Sequence, residues 1–434
     1  MRASHSFRAA LLAAGVAIPA LACSVACAAG DETPASAFIV TAQQTWQGVS
    51  GSFRDAVPRV DRAGNALMLI ETRRDRIDLL ARHVHATEHR CGGFFAFASR
   101  AEAETFLASD RAQDVYAREP RGGYTIDNPA TVQPWLAQVS EPNIRATITH
   151  LESYHTRHYA SPTGSEAAGW IRDTWLALAN GRSDVSASLF TNCNDCGNQP
   201  SVILTIEGTT WPSEVVVLGG HLDSINWDAS GNSSARAPGA DDDASGIATL
   251  TEILRVAMDS GFRPQRTVKF MAYAAEEIGL NGSQAIVGSF QADSVNVVGV
   301  LQLDMTNYRA PGQADIEIIT DYTNAGLNSY IGTLFDAYLQ PLGRTRSSSP
   351  CGYGCSDHAS WTAAGYPSAF AFEGGGINHS FDLIHSAFDL IQNMGNTADR
   401  SVPFAQLGLA FLGEVAKGTT ASSDLIFEHG FEAD

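Results

Sequence analysis

The chain has 434 residues, 44% of them hydrophobic and 17% charged, so it can bury a large core and reads as globular. Its formal charge of −19 argues against nucleic acid or an anionic membrane as partner, because binding phosphates needs a basic surface. The acidity is uneven: residues 31–124 carry 12 basic and 13 acidic side chains, whereas residues 125–434 carry 14 and 34. A domain boundary is expected near residue 124.

The first residues specify a compartment. Arg2 and Arg8 precede an apolar run from Ala9 to Ala22, and Ala26-Cys27-Ala28 fits a small-residue cleavage site. Residues 1–28 therefore read as a secretory signal peptide, too short to anchor the chain by spanning a bilayer. Lipid attachment at Cys23 or Cys27 is the weaker alternative, since the residues before each match poorly. Secretion by way of the periplasm makes disulfides available. Five cysteines follow the signal: Cys193 with Cys196, Cys351 with Cys355, and Cys91 alone. A lone C-x-x-C in an exported chain favours a small surface disulfide over a metal site. Loss of residues 29–124 leaves two local pairs, so cysteine parity and charge both mark that region as an N-terminal propeptide. The breaker-rich linker Arg118–Gly123 is where a protease is expected to cut.

Within the propeptide, residues 66–90 show helical spacing, with Leu67, Ile70, Ile77, Leu80 and Val84 near one face. Phe94–Phe97 reads as a strand and Ala101–Ala108 as a short helix, which together make a small α+β unit. From Thr125 the pattern alternates. Helical runs are expected at 131–158 and 165–180, then at Ile247–Met258, Leu280–Phe290, Leu327–Leu339 and Phe404–Ala416. Strands are expected at Val202–Ile206, Val215–Leu218, Val268–Tyr273, Val297–Leu303 and Ile316–Ile319. This alternation predicts an α/β fold over residues 125–418, a mostly parallel central sheet with helices on both faces. Residues 419–434 form an acidic C-terminal tail. In such folds ligands bind beyond the carboxyl ends of the strands.

Those strand ends hold the chemistry. The strand through Leu218 delivers His221, with Asp223 two residues on. The strand ending at Tyr273 runs into Glu276-Glu277, and the one ending at Leu303 into Asp304. Asp242, within the triplet Asp241–Asp243, precedes a helix whose N-terminal dipole tolerates carboxylates. His385 follows a glycine-rich loop. Singly, each has a plain structural explanation as a cap, a solvated first turn or a hydrogen-bonded histidine. Two histidines and three carboxylates at strand ends of one sheet, with a spare glutamate beside them, point instead to a divalent metal site.

The stretches GGHLDS (219–224), PGADDDASG (238–246), FMAYAAEEIGLNGSQ (270–284), LQLDMTNY (301–308), CGYGCSDHASW (351–361) and IHSAFD (384–389) resemble the secreted bacterial leucyl aminopeptidases. These are zinc exopeptidases with two co-catalytic metals, and the similarity runs from about Val132 to Gly413. The resemblance implies two Zn2+ ions, with His221 and Asp304 on one, Glu277 and His385 on the other, and Asp242 bridging. Glu276 would be the general base. Asp223 would orient His221, and Ser356 would support Asp304. Cys351 and Cys355 would form a disulfide shaping the substrate pocket. Met305, Tyr353, Phe370, Phe372, Phe381 and Ile384 are the apolar candidates to line that pocket, which would favour Leu-like N-terminal residues. Related enzymes carry an inhibitory propeptide, so peptides or proteins with free N-termini and the chain's own propeptide are the partners implied. No coiled-coil or obvious interface segment appears, and a monomer is expected. A single-zinc glutaminyl cyclase or a carboxypeptidase of the same fold is the competing enzyme class, and a binding ectodomain on a degenerate peptidase fold is the non-catalytic one. The complete ligand set disfavours the cyclase and the degenerate ectodomain.

Overall fold

The computed structural model describes residues 36–53, 55–61, 64–88, 93–111 and 119–421. The signal peptide, Cys91 and the tail from residue 422 lie outside the described residues. Residues 36–111 form a four-stranded antiparallel sheet of β1 (Ser36–Ala42), β2 (Asp55–Val60), β3 (Ala66–Arg73) and β4 (Phe94–Phe97), in the order β2-β3-β1-β4. Three helices accompany it: α1 (Gln43–Val49), α2 (Ile77–Glu88) and α3 (Arg100–Arg111).

One expectation is corrected here. The helix foreseen over residues 66–90 is a strand followed by a helix, with Leu67 and Ile70 on β3. The run Ala66–Ile70 is almost continuously apolar, so its periodicity does not separate a buried strand from a buried helix. Pairing with β1 decides it, from Leu67 opposite Ala42 to Arg73 opposite Ser36. Nor does this α+β unit stand apart: its described residues and those of 119–421 belong to one compact unit.

The larger sheet has eight strands: β5 (Val185–Phe190), β6 (Ser201–Ile206), β7 (Trp211–His221), β8 (Arg266–Tyr273), β9 (Asn296–Leu303), β10 (Ile316–Ile319), β11 (Arg346–Ser349) and β12 (Ser368–Glu373). Their order is β11-β10-β12-β9-β7-β8-β6-β5. The four central strands, β12, β9, β7 and β8, run parallel, while β10 and β6 join on either side antiparallel, making the sheet mixed. Strands β5, β11 and β12 are additional to the five expected.

Helices α4 (Pro129–Leu136), α5 (Glu141–Ser153), α6 (Pro162–Leu178), α7 (Ala244–Asp259), α8 (Asn281–Ala292), α9 (Ala325–Tyr338), α10 (His358–Ala363) and α11 (Val402–Ala416) complete the fold. The single helix expected over 131–158 is divided into α4 and α5 around Ala137–Ser140, since Pro142 sits in the first turn of α5, where its missing N–H costs nothing. Helix α11 is apolar all round and buried along nearly its whole length. It packs against α4, α7, α9 and β7, as a helix without a polar face must.

A charged clasp joins the two parts of the chain. Arg121 Nε donates to Glu214 Oε1 (3.1 Å), Arg266 Nε donates to Glu214 Oε2 (2.6 Å), and Arg266 Nη2 returns to the Arg121 carbonyl (2.9 Å). Tyr124 then stacks on Tyr330 and donates to the Val298 carbonyl (2.7 Å). The linker before residue 125 is thus seated on the large sheet.

Candidate metal centre

The carboxyl ends of three adjacent parallel strands carry the site. β7 ends at His221, β8 leads through Ala274-Ala275 to Glu276-Glu277, and β9 leads to Asp304. The chain meets at Asp243, which caps α7 by accepting from Gly246 N (2.7 Å). Its carboxylate also accepts from His221 N (3.0 Å) and Met305 N (3.2 Å), so one side chain joins the ends of β7 and β9 to the start of α7. Gly220 makes room for it: a Cβ there would lie 2.9 Å from Asp243 Oδ2 and 2.7 Å from the Leu303 carbonyl.

Asp242, next in line, faces two imidazoles. Its Oδ1 lies 2.9 Å from His221 Nε2, and its Oδ2 lies 3.0 Å from His385 Nε2. Asp304 Oδ1 is 3.6 Å from His221 Nε2, and Glu277 Oε2 is 2.9 Å from His385 Nε2. Two ligand groups result, His221–Asp242–Asp304 and Asp242–Glu277–His385, each with its ligand atoms within 4.8 Å of one another, and Asp242 belongs to both. All five residues are buried.

The donor set fits a cation. Glu277 Oε1 and Oε2, Asp304 Oδ1 and His385 Nε2 are buried without a hydrogen-bond partner, although His385 Nε2 lies about 3 Å from two carboxylate oxygens. Atoms that close yet not aligned as donor and acceptor converge on a common point, the arrangement an ion requires. Imidazole and carboxylate donors suit zinc. Burial works against the charged form of both imidazoles, but the carboxylates outweigh it: Asp304, Asp223 and Asp242 hold His221 well above its ordinary value, and Glu277 and Asp242 hold His385 at about 10. The pocket is rich in negative charge that a divalent cation balances.

Glu276 belongs to neither ligand group. Both its carboxylate oxygens are buried and unpartnered, and burial pushes its pKa well above the usual carboxylate range while His221 pulls it down. Ser356 Oγ donates to Asp304 Oδ2 (2.6 Å) and in turn accepts from Gln302 Nε2 (3.0 Å). Asp223 does something the sequence did not predict. Its nearest approach to His221 Nδ1 is 3.5 Å, too long for a good hydrogen bond, whereas its carboxylate accepts from Glu276 N (2.9 Å) and Glu277 N (3.3 Å). It therefore fixes the turn that carries the two glutamates. Ala275 before Glu276, Met305 after Asp304 and His385 itself adopt left-handed backbone angles (φ 52°, 53° and 55°). For residues with a Cβ that costs about 1–2 kcal/mol each, and the surrounding contacts hold them there.

Cys351 and Cys355 are bonded, as are Cys193 and Cys196. Met305, Tyr353, Phe370, Phe372, Phe381 and Ile384 all belong to one buried apolar cluster with the Cys351–Cys355 loop. Phe370 and Phe372 share one side of β12, their rings 5.5 Å apart. His358 is buried against Phe370, and burial drops its pKa to about 3, so it packs as a neutral ring.

Two supports escaped the sequence. Asp389 accepts from Asp241 N (2.9 Å) and Asp242 N (3.1 Å), fixing the acidic triplet. Arg157, fully buried between α5 and α6, donates to the carbonyls of Leu222 (3.0 Å), Leu151 (3.2 Å), Gly239 (2.8 Å) and Pro238. It thereby ties the segment after His221 to the segment before Asp241. A lone arginine between two helices carries no sequence signal for such a role.

The N-terminal segment lies over this centre. His85 of α2 places its Nδ1 3.1 Å from His385 Nδ1, with ring centroids 4.9 Å apart. The strand segments meet the rim as well. Ala96 N approaches the Gly279 carbonyl (3.5 Å), and a Cβ on Gly354 would lie 2.5 Å from Phe95 Cζ.

A mixed α/β sheet with two histidine–carboxylate groups sharing one aspartate at its strand ends defines a metallohydrolase of the zinc-exopeptidase type. Residues 201–409 match the family model "Peptidase family M28". Leucine aminopeptidase 1 of Paracoccidioides brasiliensis (strain Pb03) is 34% identical over 302 residues, covering 67% of this chain and 75% of that protein. The crystal structure of Legionella pneumophila LapA aminopeptidase superposes with a TM-score of 0.71 at 29% identity, covering 88% of this chain and 99% of that one. That span is longer than residues 125–421, so it takes in part of the N-terminal segment. Porphyromonas gingivalis glutaminyl cyclase shares the fold alone, with a TM-score of 0.51 at 15% identity over 64% of this chain and 98% of its own. The chain belongs to peptidase family M28, and it is a zinc aminopeptidase of the leucyl type.

Proposed function

We propose that the protein is an exported aminopeptidase that uses two zinc ions and Glu276 as general base, and that residues 29–124 are a propeptide covering the site until they are cut away. The observation that carries the mechanism is Asp242, shared by two ligand groups, beside a buried glutamate that joins neither. His221 and Asp304 would hold one ion, Glu277 and His385 the other, with Asp242 between them. Two zinc ions held by these residues would supply an acidified water and a polarised scissile carbonyl. Glu276 accepts the proton of the attacking water and delivers it to the departing amine. Ser356 keeps Asp304 in one orientation, and Asp223 keeps Glu276 and Glu277 in theirs. The substrate's N-terminal side chain enters the pocket of Met305, Tyr353, Phe370, Phe372, Phe381 and Ile384, whose apolar lining favours leucine and similar residues.

The propeptide assignment is supported by His85 against His385 and by apolar contacts that continue across the two parts of the chain. Two local disulfides suit an oxidising compartment, in keeping with the signal-like residues 1–28.

The test pairs elemental analysis with Leu-p-nitroanilide turnover in wild type and Glu276→Ala. About two zincs in both proteins, with activity down by roughly 10²–10⁴ in the variant, is expected. One zinc or none in active wild type, or cyclisation of N-terminal glutamine in place of leucine release, refutes the two-zinc aminopeptidase. Secreted protein that still starts near residue 29 and is fully active refutes the propeptide. Gel filtration is expected to give a monomer.

A further inference from the structure

The pocket described above accounts for the residue on the amino side of the scissile bond. The residue that leaves has no assigned place. Its position follows from proton transfer: if Glu276 protonates the departing amine, the second residue of the substrate must lie beside Glu276. Ala275 precedes that glutamate and Ile278 follows Glu277. Asp223, which fixes both glutamates through their N–H groups, leads to Ile225 and Trp227 two and four residues on. Trp227 N donates to the carbonyl of His385 (2.8 Å), whose ring is 2.9 Å from Glu277.

Ile225, Trp227, Ala275 and Ile278 belong to an apolar cluster separate from the one containing Tyr353 and Phe381. The other members of that cluster are mostly from the N-terminal segment, among them Ile39, Val84 and Phe94. Ile225, Trp227 and Ile278 are only 3%, 5% and 6% exposed in this company. Apolar side chains that follow the aspartate bracing Glu276, or flank the two glutamates in the chain, and that share one cluster with the N-terminal segment are a surface suited to another apolar group.

Resting on the aminopeptidase and propeptide functions given above, we propose that Ile225, Trp227 and Ile278 form the subsite for the second residue of the substrate. It takes a large apolar side chain such as phenylalanine or leucine, in the place that apolar residues of the N-terminal segment hold in the precursor.

The experiment uses the full-length zinc-loaded chain, nicked by brief trypsin treatment at the Arg121 linker, and compares kcat/KM for Leu-Phe and Leu-Gly. Wild type is expected to prefer Leu-Phe. Trp227→Ala, and separately Ile278→Ala in case the tryptophan is needed for folding, should each cut that preference about tenfold. In a Glu276→Gln background, calorimetric affinities for the two dipeptides should lose the same ratio. Equal rates on both dipeptides in wild type, or an unaltered preference in both variants, overturn the subsite and leave the enzyme assignment standing. Release of leucine from neither peptide by wild type overturns both. Equal activity before and after nicking overturns the proposed occupancy by the N-terminal segment.

Discussion

Replacing Arg157 by methionine keeps an unbranched stem of about the length of the arginine's own and removes the guanidinium, with its charge and every donor. Four carbonyls are affected. Leu151 and Gly239 each keep a backbone partner, Tyr154 N (3.3 Å) and Ala244 N (3.1 Å), but the donors meeting Leu222 and Pro238 are gone. Each stranded buried carbonyl costs about 1–3 kcal/mol. The nearby carboxylates of Asp389, Asp243, Asp223 and Asp242 also lose a cation that favours their ionised forms. Together these give a destabilisation of about 4 kcal/mol, against a total of about 5–15 kcal/mol for a typical domain. The readout is urea unfolding by linear extrapolation, followed by zinc titration of whatever remains folded. Arg157→Lys should recover only part of the loss, because one ammonium cannot span carbonyls on three segments. A change below about 1 kcal/mol in Arg157→Met, or a lysine variant equal to wild type, would show that the link between the His221 and Asp242 segments does not depend on this residue.

Ser356→Ala removes the donor to Asp304, and zinc affinity measured by competition with a chelator is expected to fall about 10- to 100-fold; an unchanged affinity would show that Asp304 is oriented by other contacts. Arg182, and to a lesser degree Arg263, holds the Asp184 carboxyl well below the usual carboxylate range against the opposing effect of burial. A depressed folded-state pKa stabilises above the unfolded value of about 4 and is lost as pH falls toward the folded one. Asp184→Asn should therefore cost about 1 kcal/mol at pH 7 and nothing near pH 1, and a cost that persists into strong acid would rule out this ion pair as its source.

The residues of the candidate metal centre announce themselves in sequence because the chemistry needs particular side chains at particular strand ends. His221, Asp242, Glu276, Glu277, Asp304 and His385 stand at β7, α7, β8, β9 and the loop after β12, where the fold brings them to one point. Regular apolar runs likewise foretold α7, α8, α9 and α11 and the strands β6 to β10, since periodicity is a local property. Local pattern failed where pairing partners decide. Ala66–Ile70 became a strand only through β1, and Ser368–Glu373 a central strand only by lying between β9 and β10. The roles of Asp243, Asp389 and Arg157 were equally invisible, because each acts through hydrogen bonds to backbone groups on other segments, up to 148 positions away in the chain. The sequence by itself determined which atoms are available to bind metal and to move a proton. The tertiary structure alone decided how they are aimed, that Asp223 braces the two glutamates, and that His85 from the N-terminal segment meets His385. Composition and spacing carry side-chain chemistry, while orientation depends on long-range contacts that no stretch of sequence encodes alone.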